Sequence, residues 1–205
     1  MKLKKNKKIF IESTEYIYRV EHLTLEGTCS KDHGPRNVKI KNLYVDKFPV
    51  TNKEYFNFMK KTGYQPKDPQ RFLAHKPKNN QFYHPVVCVS QIDAMEYAKW
   101  VGGRLPLDEE WQYIAAGPNY YEWPWGDKFN PSYCNHDGNS LRSVNSHKKG
   151  SSWCGCEDMC GNAWEWTSGI HDDGQHQFAL IRGGSFYYAH DHWHVGGGAR
   201  KTNFH

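Results

Sequence analysis

The chain has no long apolar run. Ile9-Phe10-Ile11 is three residues, against the about 20 that a membrane-spanning helix needs, and it is too short for the apolar region of a signal peptide. A membrane span is therefore excluded and a cytoplasmic location is expected. Aliphatic content is low too: hydrophobic residues make up 38% and mean hydropathy is −0.88. A Leu-rich helical bundle is excluded. Net positive charge is nearly absent once the first residues are set aside. The total is +5, and residues 1–8 alone carry five Lys. The balanced body lacks the basic footprint of a nucleic-acid partner. The six cysteines lack the paired spacing of a common zinc site. Cys154-x-Cys156-x-x-x-Cys160 reads as plain buried thiols, with a metal or a disulfide as the other readings. No repeat or internal linker breaks the chain. We expect a disordered basic tail over 1–8 and one domain over 9–205.

What the sequence does have is rings and turn residues. Phe, Trp and Tyr reach 15%, with 18 Gly and 10 Pro. Each ring buries a large area, and Tyr and Trp carry a polar tip, so the core should be aromatic and the chain loop-rich. The first fifty residues read as strands, including a partly alternating run from Asn37 to Phe48 that Pro49 ends. Thr51-x-x-Glu54 is a capping box opening a helix that buries Tyr55, Phe58 and Met59, and Gly63 stops it. Residues 64–84 read as a long surface loop, and Val86, Val87 and Val89 as a short strand. Ser90-x-x-Asp93 opens a second helix, with Ile92, Met95 and Ala94-Tyr97-Ala98-Val101 inward. A third follows Pro106, with Trp111, Ile114 and Ala115 buried and Gly117-Pro118 as the stop. Beyond Asn119 there is no helical period. The class is α+β: two or three helices, small antiparallel sheets and long irregular loops.

Four motifs recur in a fixed order. They are Val45-Asp46-Lys47-Phe48-Pro49-Val50-Thr51-Asn52-Lys53-Glu54-Tyr55; His84-Pro85-Val86-Val87-x-Val89-Ser90; Gly103-Arg104-Leu105-Pro106-x-x-x-Glu110-Trp111; and Gly161-Asn162-Ala163-Trp164-Glu165-Trp166 with Arg182-Gly183-Gly184-Ser185. Trp125-Gly126-Asp127 sits between the last two. The set resembles the formylglycine-generating enzyme (sulfatase-modifying factor) family from about residue 38 onward, which implies a C-type-lectin-like fold. It also implies a closing strand with a Gly-Phe-Arg signature, which this sequence does not reach, so a C-terminal truncation is an expectation.

Function within that family divides at one place. Its copper-dependent oxidases use two thiolates, three and eight residues after the Ser of Arg-Gly-Gly-Ser, because Cu(I) selects soft sulfur. Here those positions hold Tyr188 and Trp193. Phenol is a hard, weakly acidic ligand and indole offers no lone pair, so the oxidase mechanism is unsupported. The family's sulfoxide synthases need a His-x-x-x-His-x-Glu iron site that this chain lacks. A binding surface is the preferred reading: Ser185, Tyr187, Tyr188, His190, His192, Trp193 and His194 offer rigid contact area with adaptable hydrogen bonds. The partner is an unspecified ligand or protein. Two alternatives stand. One is a metal-dependent oxidase with altered ligands, since alternating His190, His192 and His194 would share one face of a strand and could hold a transition metal. The other is a variable protein of a diversity-generating retroelement, since Tyr, His and Asp codons lie one base from Asn. The resemblance further implies a structural calcium on the Asp158 and Glu165 side chains and the Gly161 and Ala163 carbonyls. Against it stands a pairing of Glu165 with Arg182 while Asp158 caps a turn.

Overall fold

The computed structural model describes residues 7–20, 34–172, 174–187 and 198–203. The N-terminal third is two nested antiparallel pairs. β1 (Lys8–Ile11) pairs with β4 (Leu43–Asp46), and inside it β2 (Thr14–Tyr18) pairs with β3 (Arg36–Ile40). The expected single run from Asn37 to Phe48 is thus two strands, broken where the outer and inner pairs part. Lys8, expected in the tail, opens β1 and reaches Asp46 at 3.0 Å.

Among the described residues four helices follow, where two or three were expected. α1 (Asn52–Thr62) starts at the Thr51–Glu54 capping box and stops at Gly63, whose φ of 73° is left-handed, a conformation that costs glycine nothing. α2 (Pro69–Ala74) occupies the segment expected to be a loop. Asp68 accepts from the Arg71 amide, Pro69 supplies a preset first turn, and Phe72 is buried. The signal was a cap, a Pro and one ring, too short for a periodicity argument. α3 (Gln91–Trp100) carries the expected Ser90–Asp93 box, but it buries Asp93, Tyr97 and Ala98, while Ile92, Met95 and Val101 are exposed. α4 (Asp108–Ala116) is buried along most of its length, including Glu110 and Gln112. Val86–Val89 form no strand. Their place is fixed by a bridge between Thr51 and Pro85 and by the Val86 amide on the Val50 carbonyl at 2.9 Å.

After α4 the chain is irregular, with short 3₁₀ turns at Pro131–Tyr133 and Lys148–Gly150. Then β5 (Glu165–Asp172) and β6 (Gln177–Arg182) form a hairpin. β7 (Gly184–Ser185) pairs with β8 (Gly198–Ala199). Two ring-built cores result. One joins Ile11, Tyr16, Tyr18 and Ile40 to Trp111, Ile114 and Met159. The other gathers Tyr55, Phe58, Phe72 and Tyr97. Among the described residues no helix is long and apolar enough to cross a membrane.

Candidate functional site

The approach to Ser185 is anchored by Arg182, a cation with no exposed surface. Its Nε donates to Asp108 Oδ1 at 2.7 Å, and its Nη2 donates to Asp108 Oδ2 and, at 3.1 Å, to the Tyr18 hydroxyl. Tyr18 also donates to Asp108, and the guanidinium lies 5.8 Å from the Trp111 ring centre. One side chain therefore ties β2, α4 and β6 together. A register shift in the β5–β6 ladder between Trp166 and Ile170 helps, because the bulged Thr167 is buried with its hydroxyl 3.4 Å from Asp108 Oδ1. Sequence reading missed Asp108. It sits at the first position of α4, where an acidic residue looks like an ordinary helix-dipole partner.

The next two residues, Gly183 and Gly184, have φ of 87° and 84°. A Cβ on Gly184 would run into the Gly198 carbonyl, and one on Gly183 would sit 3.1 Å from the Met159 carbonyl. That turn delivers Ser185, buried, and Tyr187, 59% exposed. A second loop braces it. The Gly161 amide donates to the Gly183 carbonyl at 2.8 Å, and the Phe186 amide to the Asn162 carbonyl at 3.0 Å. Asn162 is itself fully buried. Its Oδ1 accepts from Asn135 Nδ2 at 3.0 Å and from the Arg142 amide at 2.9 Å, and its amide donates to the Asn135 carbonyl at 2.7 Å. Asn135 is thus a strut for this loop. Tyr188, His190, His192, Trp193 and His194 lie outside the described residues, so the transition-metal reading of the three His and most of the ligand face do too.

The carboxylates beside that loop differ from Asp108. Asp158, at φ 62°, is pushed up to about 7 by burial and by the nearby charge of Glu157, against the pull of Asn162. Glu165 is also pushed up to about 7, by burial and by Asp158, although it accepts from Trp111 Nε1 at 2.6 Å. It is among the residues lining a cavity of about 360 Å³. The expected alternative, Glu165 paired with Arg182, does not occur between side chains. The two residues are backbone partners across β5 and β6, but the guanidinium goes to Asp108. Neither Asp158 nor Glu165 has an ion-pair partner among the described residues. Two carboxylates without a cation, near enough for the charge of Asp158 to bear on Glu165, are hard oxygen ligands of the kind a divalent ion takes. No group of three or more His, Cys, Asp or Glu side chains gathers for a metal among the described residues, so backbone oxygens would have to complete such a site.

Residues 3–203 match the sulfatase-modifying factor enzyme 1-like domain, and the chain belongs to that family. Individual relatives divide in what their names say. The inactive C-alpha-formylglycine-generating enzyme 2 of Bos taurus is 28% identical over 78% of this chain and 72% of its own length. The hercynine oxygenase of Mycobacterium tuberculosis is 30% identical over 60% of this chain but only 37% of its own length. The chain likewise spans 43% of YfmG of Bacillus subtilis, at 28% identity over 77% of itself. Among solved structures, PvdO of Pseudomonas aeruginosa superposes with a TM-score of 0.67 at 21% identity, covering 87% of this chain and 82% of that one. Treponema denticola variable protein 1 does so with 0.67 at 16% identity, covering 96% and 92%. The α+β architecture, with four helices and small antiparallel sheets, is the family's fold.

Proposed function

We propose that this chain is a non-oxidase member of its family and acts as a binding module, presenting Tyr187, Tyr188, His190, His192, Trp193 and His194 to a ligand or protein partner from the frame that ends at Ser185. The observation that carries the reading is the residue pair at the third and eighth positions after Ser185, Tyr188 and Trp193, which cannot hold Cu(I) as two thiolates do. Support comes from the frame itself. Arg182, the two left-handed glycines and Asn162 hold the start of the face rigidly, and rigid aromatic anchors bind at low entropic cost. A relative named as inactive is in keeping with it. A cytoplasmic home, with the cysteines mostly as thiols, is part of this reading.

The test has two arms. Incubated with Cu(I), oxygen and a cysteine peptide, the protein should form no aldehyde; copper-dependent turnover would end the proposal. Selection of a displayed peptide library on the wild-type protein should yield binders that are lost on a Tyr187→Ala/Trp193→Ala variant of unchanged melting temperature.

One further reading has a specific observation behind it. The Treponema denticola variable protein shares the fold over nearly the whole chain, and the run after Ser185 is rich in Tyr and His and includes Asp191. A diversified ligand-binding protein predicts that sibling genes differ mainly in this run. The third element is calcium. We infer that Asp158 and Glu165, with the Gly161 and Ala163 carbonyls, hold a structural Ca²⁺ that stiffens the loop bracing Phe186.

A further inference from the structure

Cys154 and Cys156 flank one glycine in the turn before the Asp158 loop. Gly155 has φ 95°, and its amide donates to the Ser152 carbonyl at 2.8 Å, while the Ser152 amide donates to the Cys156 carbonyl at 2.8 Å. The tight turn sets both side chains on one side, with the two sulfurs 3.8 Å apart. Residues two apart span at most about 7 Å, so the α-carbons already meet the distance a disulfide tolerates. Closing the bond to about 2.05 Å asks the sulfurs to approach by about 1.8 Å. Access is unequal. Cys154 is half-buried, whereas Cys156 is 2% exposed and packs into the first core.

We propose that Cys154-Gly155-Cys156 is a reversible dithiol–disulfide site that exchanges electrons with small disulfides of the oxidised-glutathione type. The Cys154 thiolate attacks one sulfur of the small disulfide, and a glutathione thiolate leaves and takes up a proton. The Cys156 thiol then gives up its proton and attacks the Cys154 sulfur of the mixed disulfide, expelling the second glutathione. The protein loses two electrons and two protons, and one disulfide becomes two thiols. The geometry assigns the roles, since the reachable sulfur starts the exchange and the shielded one resolves it. The neighbouring thiol and the Ser152 hydroxyl also draw the pKa of the Cys154 thiol down to about 6, against the effect of burial.

Cys134 and Cys160 form an internal control. The Cys134 thiol, by hydrogen bond and charge, helps hold the Cys160 thiol well above its ordinary value, so the two are neighbours, but both are buried. Cys88 is half-buried, and among the described residues no thiol hydrogen-bonds to it. The reduced full-length protein is titrated with oxidised and reduced glutathione, alkylated, digested and weighed. The peptide holding Cys154 and Cys156 should lose two hydrogens, with Cys154 reacting roughly tenfold or more faster than Cys88. Cys156→Ser should stop at a glutathione adduct on Cys154, and Cys154→Ser should carry neither adduct nor bond there. The proposal is overturned if the wild-type chain accumulates the Cys154 adduct without closing the ring, or if Cys88, Cys134 or Cys160 oxidises first.

Discussion

Two buried carboxylate sites lie within a few residues of the same hairpin, and they are neutralised in opposite ways. Asp108 meets Arg182, Tyr18 and Thr167, all supplied by the chain. Among the described residues Asp158 and Glu165 meet only an amide and an indole N–H. A buried charge is tolerated when it is paired and costly when it is not. The first site is therefore complete without any ligand, and the second either stays protonated or takes a cation from outside. The first fixes where the Arg-Gly-Gly-Ser turn begins; the second sits under the loop that braces it.

The comparison can be broken most sharply at Arg182. Arg182→Met should cost about 3–5 kcal/mol in denaturant unfolding, because it strands Asp108 in a dry environment. Adding Asp108→Asn should recover part of that loss. If the single variant costs less than about 1 kcal/mol, Asp108 is not dependent on the guanidinium. The second site should respond to calcium instead. At a hundredfold excess over its dissociation constant, Ca²⁺ adds about 2.7 kcal/mol, which raises the melting temperature of a chain this size by about 5–10 °C. Asp158→Asn should abolish the rise, and an identical melt in Ca²⁺ and chelator removes calcium from the account.

pH separates the two sites further. Asp158 and Glu165 have folded-state values near 7, above their unfolded values of about 4. The native state then binds more protons than the unfolded state between those limits. In chelator, stability is fully present below about pH 4 and falls as pH rises towards 7, by up to about 1.4 kcal/mol per pH unit for each carboxylate. Calcium should cancel that fall, since it needs both groups ionised. A chelated protein whose stability is flat from pH 5 to 7 would show that the two carboxylates are already ionised when metal-free. The smallest effect belongs to the ligand face: Tyr187→Ala should change stability by no more than about 0.5 kcal/mol while weakening binding. A larger destabilisation would make Tyr187 part of the frame.

Some of this was readable in advance because the signals are local. The capping boxes at Thr51 and Ser90 and the glycine stop at Gly63 depend on neighbours three residues away, and all three stand as read. α2 was missed because six residues carry too little period to outvote the prolines around them. The inward faces of α3 were misjudged because hydrophobicity alone put Ile92 and Met95 inside, while Asp93 took the buried place. It accepts from the Ser90 and Lys67 amides and from the Tyr64 hydroxyl, and such burial is invisible until partners from another segment are known. Glu165 and Arg182 are charge-complementary in sequence and adjacent across the hairpin, yet the side chains part company.

The sequence by itself determined the family motifs, the helix caps, the aromatic character of the core and the replacement of sulfur by rings after Ser185, because each depends on residue type and short spacing. Only the tertiary structure decided which carboxylate receives the one buried guanidinium, which loop braces the Arg-Gly-Gly-Ser turn, and that the half-buried Cys154 sulfur meets the Cys156 sulfur. Those outcomes depend on contacts between segments far apart along the chain, where burial sets the strength of a charge and geometry selects its partner.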